Sequence, residues 1–214
     1  MGLIGRTVSV DDVLRDALQD RAFYEASGGG VTLSGGEPVL QTEFARALLA
    51  ACQQAGVHTA VETAGNYPWH MLVMLLPFTD LVMMDLKQMD PAKHRKATGA
   101  SNERIFDNAR CLAQTDKLIV FRIPVIPTVN DQPGEVRATA LFVRTLMESR
   151  ATGSSDRPAG PISLELLTFH KLAGDKYRSL DLDNCAADLQ PLPKAAMHAL
   201  VDVAGARGVP VQCR

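Results

Sequence analysis

Clustered cysteine is what this sequence most plainly lacks. Cys52, Cys111, Cys185 and Cys213 stand tens of residues apart, with no C-x-x-C or C-x-x-x-C-x-x-C group. Thiolate frameworks for zinc or iron need such spacing. The four therefore read as small apolar side chains in a reducing compartment. Excess basic charge is missing too. Twenty-two Lys and Arg stand against 24 Asp and Glu, a net −2, which gives no global attraction to nucleic acid or to anionic membrane. No apolar run approaches the roughly 20 residues that span a bilayer. The N-terminus lacks the basic-then-apolar layout of a signal peptide, so a cytoplasmic location is expected. Sequence repeats of the solenoid kind are absent, as is the Lys-Ser/Thr pair of a phosphate loop.

What is present is an ordinary globular composition. The 214 residues are 46% apolar and 21% charged, enough for one domain over 1–214 with a substantial core. The low-complexity stretch 149–160 reads as a mobile loop within it.

Hydrophobic patterning alternates strand with helix. Ser9-Val-Asp-Asp12 has the form of a capping box and predicts a helix to about Ala26. Val31–Leu33 is a short strand after three glycines, and Glu43–Ala55 a helix closed by Gly56. The unit repeats: strand Val57–Glu62, helix Pro68–Leu76, strand Leu81–Leu86, helices from Asp90-Pro91 and Asn102. Strand Leu118–Val125, helix Pro133–Glu148, strand Ile162–Leu167, helix Pro193–Arg207 and strand Val209–Cys213 complete it. Six strands interleaved with helices imply a parallel α/β sheet.

In such folds ligands bind at the carboxyl ends of strands, and five ends here carry unusual polar residues. Gly35 and Gly36 let the backbone approach a ligand, and Glu37 adds a carboxylate suited to an ammonium group, or simply caps the next helix. Met83, Asp85 and Lys87 share one face of their strand. An acid and a base so placed imply either a polar ligand or a mutual ion pair. Arg122 interrupts the apolar run Leu118–Ile126, where it either reaches an anion or snorkels from an edge strand. His170, taken alone, reads as a surface histidine. The basic run Lys93–Lys96 reads as a solvated face, and Met71, Leu72, Leu75, Met83 and Met84 as core.

Taken in order, Ser34-Gly-Gly-Glu-Pro38, Glu62-Thr-Ala-Gly65, Leu81-Val-Met-Met-Asp-Leu-Lys87, Arg122-Ile-Pro-Val-Ile-Pro127 and Leu167-Thr-Phe-His170 resemble the glycyl-radical enzyme activating enzymes, relatives of pyruvate formate-lyase activating enzyme. The resemblance runs from about Gly5 to the C-terminus. It implies a partial parallel (β/α)6 radical SAM barrel that binds S-adenosylmethionine (SAM) beside a [4Fe-4S] cluster. Gly35, Gly36 and Glu37 would take the SAM ammonium. Glu62 and Thr63, with Met83 and Asp85, would lie near the SAM carboxylate and a monovalent cation, and Lys87, Arg122 and His170 would line the pocket. The implied partners are a glycyl-radical enzyme and a flavodoxin or ferredoxin reductant.

Gly5–Val10 and Asp20–Gly30 are similar to the subgroup carrying a ferredoxin-like insert, in which this stretch directly follows the insert. On that basis the first barrel strand and the C-x-x-x-C-x-x-C loop are expected to be missing, leaving no iron–sulfur ligands here. The chain would then be a fragment inactive by itself. Two alternatives stand beside the activase: a non-catalytic SAM- or partner-binding module, and a Schiff-base aldolase with Lys87 as nucleophile.

Overall fold

A computed structural model describes residues 6–151, 159–172, 174–184 and 186–214. Ser9 caps α1 (Val10–Leu18), its hydroxyl accepting from the Asp12 N–H. The single helix expected to Ala26 is instead two. The N–H groups of Gln19 and Asp20 reach back only three residues, to Asp16 and Ala17, and this tightening closes α1 before α2 (Arg21–Ser27) begins.

Beyond Gly28 the expected alternation holds. The elements are β1 (Gly30–Leu33), α3 (Thr42–Gln54), β2 (His58–Thr63), α4 (Trp69–Val73), β3 (Leu81–Asp85), α5 (Pro91–Thr98) and α6 (Glu103–Ala113), then β4 (Leu118–Val125), α7 (Pro133–Ala151), β5 (Ile162–Thr168), α8 (Gly174–Ser179), α9 (Lys194–Gly205) and β6 (Val211–Cys213). The helix expected over 68–76 is cut to α4 and a 3-10 turn at Leu76–Phe78, because Pro77 has no N–H to continue the ladder. Ser149 to Ala151, expected to be loop, belong to α7. Residues 152–158 of that stretch lie outside the described residues, as does Cys185.

All six strands are parallel in the order β1-β2-β3-β4-β5-β6. The sheet is open, and among the described residues β1 pairs on one side only. Strict alternation sorts the faces of β4: Ile119, Phe121, Ile123 and Val125 are buried, while Leu118, Val120, Arg122 and Pro124 are partly exposed. The buried set packs with Val82, Met84, Leu164 and Leu166 against Leu112, Val136, Val143 and Leu200 of the helices. Each fully buried side chain of this size stabilises by about 1.5–3 kcal/mol. Helices thus cover one face of the sheet and leave the other, here called the inner face, to polar groups.

The basic run on α5 is not wholly solvated. His94 is buried, its Nδ1 lying 2.8 Å from the Ala100 carbonyl at the turn that ends the helix. No described helix is long and apolar enough to cross a membrane.

Candidate functional site

Strand register builds a polar row across the inner face. Asp85 stands opposite Arg122, Arg122 opposite Glu165, and Glu165 opposite Gln212. Glu62 stands opposite Met83 on the adjoining strands. Arg122 is the hub. One terminal nitrogen lies 3.0 Å from Glu62 Oε2 and 3.8 Å from Met83 Sδ. Its Nε lies 3.1 Å from Glu165 Oε2, close enough for charge attraction but out of line for a hydrogen bond.

Arg122 is thus held by groups of this chain. Its strand is internal, so it does not snorkel from an edge, and the anions it reaches are carboxylates of this chain. Met83, expected in the core, lies instead on the inner face beside the guanidinium, whereas Met84 is buried among the helices.

Asp85 and Lys87 form the mutual pair, Nζ to Oδ2 at 3.6 Å. Burial pushes the Asp85 carboxyl above its ordinary range, and Glu62 adds to this against the pull of Lys87 and Arg122. Its second oxygen, Oδ1, is buried without a partner. An unpaired buried carboxylate oxygen is costly, and a cationic ligand or an ion would satisfy it.

Glu37 is committed elsewhere. Its carboxylate accepts from the Thr63 hydroxyl at 2.9 Å and from the Ala64 N–H at 2.9 Å. Thr63 therefore faces the helix side of β2, opposite to Glu62, and the Tyr67 hydroxyl lies 3.0 Å from the same oxygen. Burial pushes the Tyr67 phenol up. What remains open at the first strand end is backbone. Gly35 and Gly36 have φ of +79° and +56°, and a Cβ on either would meet nothing within 4 Å.

Three asparagines pin the loops around this region, and sequence reasoning missed all of them. Asn108 donates to the Gly65 and Tyr67 carbonyls, Asn102 to those of Gln88 and Met89, and Asn130 to those of Lys87 and Pro124. Each is buried. Gly65 itself has φ +73°, and a Cβ there would lie 3.2 Å from Met84 Sδ.

A cavity of about 430 Å³ opens at the ends of β4, β5 and β6, lined by Arg122, Pro124, Leu167, Phe169, His170 and Arg214 among others. The structure thus brings Arg122 and His170 together. A neighbouring cavity of about 690 Å³ shares Pro124 and Ile126 with it and is lined by Lys87, Lys96 and Asn130. Glu62, Met83, Asp85, Lys87 and Arg122 form one group, His170 adjoins it through the cavity, and Glu37 with Thr63 forms a second group. Glu165 went unnoticed in the sequence, although a charge inside the apolar stretch Ile162–Leu167 was a signal of the same kind as Arg122.

Comparison with known proteins identifies the family. Residues 3–140 match the radical SAM superfamily model. Over 196 residues the chain is 34% identical to pyruvate formate-lyase 1-activating enzyme of Escherichia coli K12, covering 91% of this chain and 75% of that protein. The chain belongs to the radical SAM superfamily, among the glycyl-radical enzyme activating enzymes. Within this family it is 39% identical over 180 residues to (2S)-3-sulfopropanediol dehydratase activating enzyme of Klebsiella oxytoca, covering 84% of this chain and 54% of the relative. It is 41% identical over 179 residues to isethionate sulfite-lyase activating enzyme of Nitratidesulfovibrio vulgaris, covering 83% and 54%. The chain therefore spans about half the length of these two relatives.

Among solved structures, a domain of pyruvate-formate lyase-activating enzyme from Bacteroides vulgatus superposes with a TM-score of 0.66 at 27% identity, covering 87% of this chain and 99% of that one. Streptococcus suis SuiB bound to S-adenosylmethionine shares the fold, with a TM-score of 0.69 at 12% identity over 44% of its chain. The open parallel sheet is that of a partial radical SAM barrel.

This family implies SAM and a [4Fe-4S] cluster, and the two fare differently against the residues present. SAM fits: the orphaned Asp85 Oδ1 and the cavity bordered by Arg122 and His170 suit a ligand carrying both charges. The cluster does not fit the described cysteines. Cys52 lies buried on α3, Cys111 exposed on α6 and Cys213 on β6, and burial pushes the Cys52 thiol up, away from the thiolate.

Proposed function

We propose that this chain is the SAM-binding barrel of an activase that installs a glycyl radical on a partner enzyme, and that the isolated chain does not perform the reaction alone. The observation that carries this reading is the inner-face group of Glu62, Met83, Asp85, Lys87 and Arg122, in which Asp85 Oδ1 is unpartnered and Lys87 and Arg122 line the two strand-end cavities. When bound and reduced, SAM supplies a 5′-deoxyadenosyl radical able to abstract a glycine hydrogen.

The chain's own residues bind and orient. The open backbone at Gly35 and Gly36, together with Asp85, receives the ammonium, and Glu37 acts indirectly by tying that loop to β2. Lys87 and Arg122 receive the carboxylate, and His170 closes the far side of the cavity. A monovalent cation at Glu62, Thr63, Met83 and Asp85 belongs to the same reading. Thr63 can offer it only main-chain oxygen, since its hydroxyl is held by Glu37. The partners are a glycyl-radical enzyme and a flavodoxin or ferredoxin reductant, met in the cytoplasm.

One observation favours a second reading, a non-catalytic SAM- or partner-binding module: the described cysteines sit on three separate elements. A Schiff-base aldolase is disfavoured, because the Lys87 amine is ion-paired with Asp85 and 40% exposed, not desolvated as such a nucleophile requires.

Calorimetry with SAM on the full chain tests the pocket. Weak, specific binding is expected, lowered by Asp85→Ala, Lys87→Ala or His170→Ala, and an affinity unmoved by all three sinks the assignment. Extending the N-terminus with a first strand and C-x-x-x-C-x-x-C loop from a relative tests the activity. The extended protein is expected to hold a cluster and release 5′-deoxyadenosine under strong reductant. A cluster without cleavage leaves the binding module as the better account.

A further inference from the structure

Glu165 is the one fully buried acid among the described residues, 1% exposed, and the SAM contacts proposed above give it no task. We propose that Glu165 is a positioning residue for Arg122: its carboxylate, set between the Arg122 and Arg214 guanidinia, holds Arg122 against the inner face so that its terminal nitrogens face Glu62 and the ligand cavity. This rests on the reading of Arg122 as a SAM contact.

Removing a carboxylate from water is costly unless charges and donors surround it. Here Arg122 Nε lies 3.1 Å from one oxygen, and Arg214 Nε at 2.9 Å and Gln212 Nε2 at 3.0 Å serve the other. The hydrophobic core makes no use of the group, since β5 turns Ile162, Leu164 and Leu166 to the helices. Both arginines that Glu165 gathers line the same cavity of about 430 Å³.

Arginine is rotamer-rich, so a guanidinium presented to a ligand loses affinity unless something fixes it beforehand. The two carboxylates flanking Arg122 differ in that respect. Glu62 is 35% exposed and able to swing away, whereas the Glu165 side chain is 2% exposed on an internal strand. Glu165 therefore anchors the Nε side of Arg122, while the terminal side can exchange Glu62 for the carboxylate of SAM.

The test uses the full chain and two readouts. In ¹⁵N-edited NMR, native protein should show a protected Arg122 Nε–H resonance, assigned by its absence in Arg122→Lys, and Glu165→Gln should broaden or lose it. In calorimetry, Glu165→Gln should weaken SAM about tenfold, Glu165→Asp should recover part of the loss, and Glu165→Gln should add nothing in an Arg122→Ala background. A resonance unchanged in Glu165→Gln overturns the proposal, as does an equal loss of affinity in the Arg122→Ala background. Should Glu165→Gln fail to fold, Glu165→Asp carries the NMR test, and an unmoved resonance there overturns it. Absence of SAM binding to the native chain sinks the pocket assignment instead, and the resonance alone then decides the role of Glu165.

Discussion

The Thr63 hydroxyl lies 2.9 Å from both carboxylate oxygens of Glu37, so the loop after β1 hangs from the end of β2. Replacing Glu37 with alanine strands the Ala64 N–H and leaves the Thr63 hydroxyl only Tyr67 to donate to, and should cost about 1–3 kcal/mol. Thermal unfolding reads the loss. Glu37→Gln, which keeps an acceptor, should cost less.

Asp85 should make stability fall as pH rises. Its folded pKa is raised by burial above the ordinary 3.8, so the unfolded chain ionises first and the penalty accumulates until pH passes the folded value. Asp85→Asn should unfold at a higher temperature than native protein at pH 7, and the gap should close as pH falls below 3.8. A gap that widens on acidification contradicts the direction of the shift.

Gly65→Ala forces a side chain onto φ +73° and places Cβ 3.2 Å from Met84 Sδ. The expected loss is about 1–3 kcal/mol, measured by urea unfolding. SAM affinity should drop with it, since the same turn carries the end of β2.

Iron and sulfide added anaerobically to this chain should give no stoichiometric [4Fe-4S] cluster, because Cys52, Cys111 and Cys213 belong to different elements. Mössbauer spectroscopy checks this. A full, site-differentiated cluster would refute the reading of these cysteines as structural.

Since β1 pairs on one side only among the described residues, its free edge should promote self-association. Light scattering should show mass rising with concentration, and Thr32→Lys, at an exposed position of that strand, should reduce it. Concentration-independent mass would remove the edge as a cause.

Much of the fold was legible because most strands are short runs rich in apolar or β-branched residues and closed by turn residues, and because the parallel arrangement follows from alternation with helices. Local chemistry was legible where one residue broke its surroundings. Arg122 did so in Leu118–Ile126, as did Asp85 in Leu81–Leu86. Register was not legible. Nothing in either strand alone says that Glu165 faces Arg122 or that Gln212 faces Glu165. Glu37 was recognised as an acid after two glycines, yet its captor Thr63 lies 26 residues on, and only the pairing of β1 with β2 brings them together. The break between α1 and α2 was invisible for another reason: no proline or glycine marks Gln19-Asp20, and the helix closes there by backbone tightening.

The asparagine tethers have a thermodynamic meaning. Asn102, Asn108 and Asn130 satisfy loop carbonyls from within the protein, so the strand-end loops need no ligand to order them. A ligand arriving at such a site meets a mould already set and gives up little conformational entropy of the protein on binding. Amide hydrogens in these loops should therefore exchange almost as slowly before SAM is added as after.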